Sequence, residues 1–273
     1  MKSAALYATV VLFVFLLSSR GTTAQQDAAR PQPVYQDIGA QPGHLPKVHY
    51  IPSQAADSSY PFWVDASMVL NADGSLNTSL LNPSAVLILR DFRANAPEQG
   101  CLAVGHTFVG SGSAPERNTP EQAARNSRLV LLGSVTEKAY GIGGDLPGQL
   151  LRIVPDEVIK GQPRNVPAYF VFLPVGTFRI GSLEICKTDD SYPAPPAVGE
   201  QVLLFVPDSW DWQQNQDDSY LNLKGESGII TIHADSTVSL PQPFRARLKT
   251  VPLSSDALLS SVRSDGREAT ASQ

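Results

Sequence analysis

The chain has 273 residues, a formal net charge of -5 and no long block of one sign, so nothing electrostatic points to nucleic acid or an anionic membrane surface. Charged residues make up 17% of it, against roughly 25% in an average soluble domain, and 22 prolines with 20 glycines call for many turns. This composition suits β-structure and loops, and no segment carries a catalytic signature.

Residues 1–24 come first: Lys2, an apolar run over 4–17, then small and polar residues ending at Thr22 and Ala24. This is the pattern of a signal peptide cleaved after Ala24. An uncleaved anchor is the competing reading, but the run is shorter than the roughly 20 residues of a span. About 250 residues then remain, placed outside the cytoplasm, secreted or periplasmic, with no further membrane span expected.

Residues 25–59 are polar and proline-rich and read as a disordered lead-in. His44 and His49 lie there and read as two exposed linker histidines, since no carboxylate or cysteine is spaced to complete a metal site with them. A β appendage is expected over 60–118. Residues 62–70 (FWVDASMVL) and 85–92 (AVLILRDF) read as its two strands, joined through Asp73-Gly74, a strong hairpin turn. Asn77-Thr78-Ser79 fits the N-glycosylation pattern, of consequence only in a eukaryotic source. His106 with Ser111 or Ser113 suggests a base and nucleophile, but no Gly-x-Ser-x-Gly elbow surrounds them, and a glycine-serine loop is the plainer reading.

A short helix is expected from Thr119 to about Asn126, because Thr119 is a good cap, Pro120 suits the first helical position and Glu121 favours the dipole. Four strand-length runs follow: 128–135 (RLVLLGSV), 150–159 (LLRIVPDEVI), 166–173 (VPAYFVFL) and 201–206 (QVLLFV). In the third, Val166, Ala168, Phe170 and Phe172 share one face and Tyr169, Val171 and Leu173 the other. Both faces are apolar, so the strand must be covered on both sides. Gly133 marks a bulge or bend, and Pro155 predicts a bulge or an edge position in the second run. A further strand is expected over 182–186.

The loop 208–220 (DSWDWQQNQDDSY) sets Trp210 and Trp212 two apart among acids. Exposed, they would be aromatic anchors for a protein or carbohydrate partner; the plainer reading folds them back onto the domain. Calcium is the other possibility for those acids, without the Asp-x-Asp-x-Asp-Gly spacing. Residues 228–233 and 237–240 form a hairpin turning at Asp235-Ser236, which leaves His233 at a strand end with no neighbour in sequence to act on. A helix from 253 to 263, capped by Ser254 or Ser255, and a frayed tail complete 246–273. The two cysteines, Cys101 and Cys186, are most simply a disulfide in an oxidising compartment. Closing so long a loop is worth on the order of 4 kcal/mol in the chain-entropy model.

The series LVLLGSV, VPDEVIKG, an alternating Phe/Val strand, VGEQVLLFV and GESGIITI resembles exported bacterial proteins whose fold is similar to the OB-type barrel of the netrin and tissue-inhibitor-of-metalloproteinase family. The likeness covers about 128–240 and implies a barrel rather than an activity. In the inhibitors a mature N-terminal cysteine binds the protease zinc; here that position is Gln25. The expectation is therefore a mainly β chain: an OB-like barrel within 119–245, an N-terminal β-hairpin appendage and short helices. Its expected role is non-enzymatic binding through the loops, with no cofactor and no metal. The alternative is an extracellular hydrolase assembled from distant loops, using His106 or His233 with an acid.

Overall fold

The computed structural model describes residues 44–50, 60–95, 119–163, 165–181, 183–187, 192, 194–207, 220–221, 228–241 and 254–271. It is mainly β. The spine is a long antiparallel hairpin of β3 (Ser127–Gly143) and β4 (Leu146–Lys160), turning at Gly144, whose φ of 63° suits glycine. β8 (Gln201–Pro207) pairs with the first half of β3, and β2 (Trp63–Asp65) with its last three residues. β1 (Val48–His49) lies on β2, and β5 (Tyr169–Leu173) on the far side of β4. β6 (Gly176–Ile180) and β7 (Leu183–Lys187) make a separate small hairpin. β9 (Tyr220–Leu221) runs parallel to β5, while β10 (Ile229–Ile232) joins β8 and carries β11 (Val238–Ser239).

The resulting path, β11-β10-β8-β3-β4-β5-β9, begins and ends on different strands. Among the described residues its ends do not pair, so the closed barrel expected from the sequence is not observed.

Alternation along the strands supplies two cores. Leu129 and Leu131 of β3, Leu151 and Ile153 of β4, Tyr169 and Val171 of β5 and Leu204 of β8 gather on one face. On the other, Val130, Leu132, Leu203, Phe205, Ile230 and Ile232 meet two helices, α2 (Pro120–Asn126) and α3 (Ser255–Ala271). Because neither face meets water, the strands read as continuous apolar runs rather than alternating ones. At Pro155 the β3–β4 register slips so that Gly133 faces Pro155 and Leu132 faces Glu157, and Asp156 bulges out between them. Pro155 also lies beyond the 149–153 stretch that β5 covers, so both accommodations open to a strand proline operate here.

The helices form where local signals are strongest. Thr119 Oγ1 accepts from Gln122 N–H, and Gln122 Oε1 accepts from Thr119 N–H, a complete capping box ahead of Pro120. Ser254 Oγ accepts from Ala257 N–H at the head of α3.

The β-hairpin appendage is corrected. Residues 85–92 belong to a helix, α1 (Pro83–Asn95), not a strand. Asn82 Oδ1 caps it by accepting from Ala85 N–H at 2.8 Å, and Pro83 opens it. Ala85, Val86, Leu89 and Phe92 make a buried helical stripe against Val64, Ile142, Ile180 and Ile185, with Leu87 exposed. A short apolar run fits both periods, and the cap decides between them. The Asp73-Gly74 turn does form, with Gly74 at φ 79°, but it closes only a Leu70–Leu76 bridge. The expected strand over 62–70 is also shorter than read: only β2, residues 63–65, is extended and joins the main sheet, and Asp65 then caps a 3-10 turn over Ala66–Met68. The disordered lead-in is corrected over 44–50: β1 is part of the sheet, and His49 is buried rather than exposed.

One close approach makes a test. A Cβ on Gly141 would fall on the carbonyl oxygen of Val64 and crowd the Trp63 ring. Gly141→Ala should therefore lower the unfolding free energy by about 1–3 kcal/mol, since β2 must move off β3. Urea unfolding followed by circular dichroism measures it, and an unchanged midpoint would show that β2 yields at no cost. Among the described residues no helix is long and apolar enough to cross a membrane.

Candidate functional site

A cluster of polar side chains that includes a histidine, an acid and a serine lies where the β10–β11 hairpin meets the head of β8. Asp235 Oδ1 accepts from both the N–H and the hydroxyl of Thr237, and Ser236 takes a φ of 65°. These fold the turn so that His233 N–H donates to Thr237 O and Ser236 N–H to His233 O. The β10–β8 register sets Ile232 opposite Gln201, which brings Glu200 beside His233. Glu200 is itself pinned: its carbonyl accepts from Val135 N–H, and Gly199 N–H donates to Val135 O.

Within this frame His233 Nδ1 lies 2.7 Å from Glu200 Oε1, and His233 Nε2 lies 2.7 Å from Ser239 Oγ. The second carboxylate oxygen, Oε2, accepts from Ala197 N–H at 2.8 Å. An ionised carboxylate only accepts, so Nδ1 carries the proton toward Glu200, and in the neutral ring Nε2 accepts from the Ser239 hydroxyl. Burial alone would raise the Glu200 carboxyl. The Ala197 N–H, the His233 hydrogen bond and charge, and the Lys138 ammonium outweigh it and hold the group below the ordinary carboxylate value. The His233 and Glu200 side chains keep 27% and 18% of their surface, and Ser239 is half-buried.

The sign of that shift gives a pH dependence. A carboxyl whose pKa is depressed by folding contributes stability that is fully present above its unfolded value, about 4.3, and is lost as the pH falls through the lower folded value. The stability difference between the wild type and Glu200→Gln should thus shrink as the pH drops below about 4. Thermal melts of both proteins between pH 5 and 3 test it, and a difference that grows over that range contradicts it.

The other residues singled out from the sequence fall elsewhere. Trp210, Trp212, Cys101, His106, Ser111 and Ser113 lie outside the described residues. Cys186 is buried on β7, its Sγ 3.1 Å from Thr177 Oγ1. His44 Nδ1 pairs with Glu137 Oε1 at 2.9 Å. Among the described residues no three His, Cys, Asp or Glu side chains group to hold a metal ion. His233 stands one residue past the end of β10, close to the strand end that its position in sequence implies, and it has partners on both ring nitrogens. Sequence reasoning misses them because Glu200 stands 33 residues away, although Ser239 stands just across the predicted turn. No protein-family model, curated protein or solved structure matches this chain.

Proposed function

We propose that this chain is an exported binding or interaction module on an OB-like barrel, similar to the netrin and metalloproteinase-inhibitor fold, with contacts made by the connecting loops. The observation that carries the reading is the strand order. β9 lies parallel to β5 at one end of the path and β10 antiparallel to β8 near the other, yet they are successive strands of the chain. A sheet whose two ends are taken up by one short stretch of chain curls toward itself, as the partly open OB sheet does. Function on such a fold resides in its loops, and 208–219, which joins β8 to β9, carries Trp210 and Trp212.

The partner class is protein or carbohydrate, with the two indoles as stacking or anchoring groups. A glycan array probed with the mature chain and with a Trp210→Ala, Trp212→Ala variant tests this. Binding that drops tenfold or more in the variant supports the reading, and binding that does not change removes both residues from it. The Cys101–Cys186 bridge belongs to the same proposal. Unfolded, unreduced protein should show no titratable thiol, and two thiols per chain would exclude the bridge.

A further inference from the structure

We infer that Ser239 is an activated nucleophile, with His233 as its general base and Glu200 as the group that orients the base, and that the site transfers acyl groups from small neutral esters. This goes beyond the binding reading and does not rest on it. It supplies the hydrolase alternative with a nucleophile on a different element from the tryptophan loop.

The geometry is that of a nucleophile, a base and an orienting acid in one chain of hydrogen bonds, with both links at 2.7 Å. Order in sequence, here Glu, His, Ser, is no criterion, because such arrays are defined by distances and roles. Each member is held by something other than the array. Glu200 is fixed by Ala197 N–H and by the β3 backbone, and His233 by its backbone bond to Thr237. Ser239 is fixed by its place opposite Thr231 in the β10–β11 ladder. A hairpin that needed only a clip would be served by the Asp235–Thr237 bonds already in its turn.

The reaction follows from these positions. Ser239 Oγ attacks the ester carbonyl carbon while its proton passes to His233 Nε2, and the carbonyl oxygen takes the negative charge. The tetrahedral adduct collapses, the bond to the leaving alkoxide breaks, and His233 returns the proton to that oxygen. Water then attacks the acyl-Ser239 carbonyl, gives its proton to His233, and releases the acid as Ser239 recovers its hydrogen. Glu200 stays ionised throughout and faces the imidazolium. Strand alternation turns the Val238 N–H away from β10 toward the outer side of β11, the last strand of the sheet. It is the backbone donor this edge offers to a carbonyl oxygen bound beside Ser239.

Charge narrows the substrate. Asp235 stands two residues from His233 and Glu200 is the array's own acid, while the Lys138 ammonium offsets part of the Glu200 charge. The two carboxylates outnumber that ammonium, so a neutral short-chain ester meets less repulsion here than an anionic one.

The test uses the mature chain with an alkyl fluorophosphonate, which forms an oxygen–phosphorus bond with an activated serine as fluoride leaves, and with p-nitrophenyl acetate as substrate. The expected result is one adduct by intact mass, mapped to Ser239 by peptide sequencing, with ester turnover lost in Ser239→Ala. In His233→Gln, which keeps a polar side chain of similar reach, labelling of Ser239 should slow by roughly 100-fold or more at an unchanged circular dichroism spectrum. Labelling of Glu200→Gln should slow as well, since the neutral amide no longer holds the imidazolium. No adduct at Ser239, an adduct at another serine instead, or equal labelling rates in the wild type and His233→Gln would each overturn the inference. The glycan-array result is independent of all of these, so either proposal can fail alone.

Discussion

Trp63→Ala is expected to lower the unfolding free energy by about 3–5 kcal/mol, among the largest effects of any single truncation in this chain. Trp63 is fully buried on β2 and packs with Leu150, Phe170 and Phe172, its ring centroid 6.1 Å from that of Phe172. Its Nε1–H donates to Pro46 O at 3.2 Å, so the same side chain holds the segment before β1 against the sheet. Truncation removes the ring, leaves a cavity between β2 and the β4–β5 face, and takes away the donor to that carbonyl. Trp63→Phe keeps most of the apolar surface and should cost markedly less. Urea unfolding of the three proteins by far-ultraviolet circular dichroism reads the ordering. If the alanine variant unfolds at the wild-type midpoint, the β1–β2 region lies outside the cooperative core.

The second large effect concerns α3. Leu258 and Val262 are essentially without exposed surface and, with Leu259, cover the outer apolar face of β3, β8 and β10. The polar contacts of the helix, Arg263 to Glu157 and Ser261 to Glu121, are half exposed. Exposed pairs of this kind contribute about 0–1 kcal/mol each, so burial rather than charge docks the helix. Leu258→Ala with Val262→Ala should cost at least about 4 kcal/mol if the helix unfolds only with the sheet. Amide hydrogen exchange resolves where the loss falls. Faster exchange across α3 and α2, with binding of a hydrophobic dye, is expected as the outer face opens. Wild-type protection over α3 in the double variant would mean that other contacts hold it.

Trp63 packs against β4 and β5, and α3 against β3, β8 and β10, so the two substitutions probe different strands of the same sheet. The central strands are legible because both faces are buried: LVLL, YFVFL and VLLFV admit few other structures at their lengths, and alternation within β5 separates Phe170 and Phe172 from Tyr169, Val171 and Leu173, while Val166, before the strand, packs with the second set rather than the first. The cap Thr119-Pro120 marks α2 for the same local reason. The apolar run of α1 fits a strand as well as a helix, although Asn82-Pro83 stands at its head with the signal that settles it. The apolar pattern of β3 stops at Val135, whereas the strand does not. Its continuation is polar and glycine-containing, and it stays extended because β4 pairs along it and β2 closes on residues 141–143.

Local sequence therefore determined the elements whose stabilising signal lies within a few residues: caps, turn glycines, and apolar runs that must be covered on two sides. Tertiary structure alone decided what depends on register. It buried His49 in an added strand and brought Glu200, His233 and Ser239 into one hydrogen-bonded line. The physical reason is that a cross-strand contact is set by how two strands slide past each other. That alignment is fixed by the sum of core packing and bulges over the whole sheet and leaves no mark on the residues that end up touching.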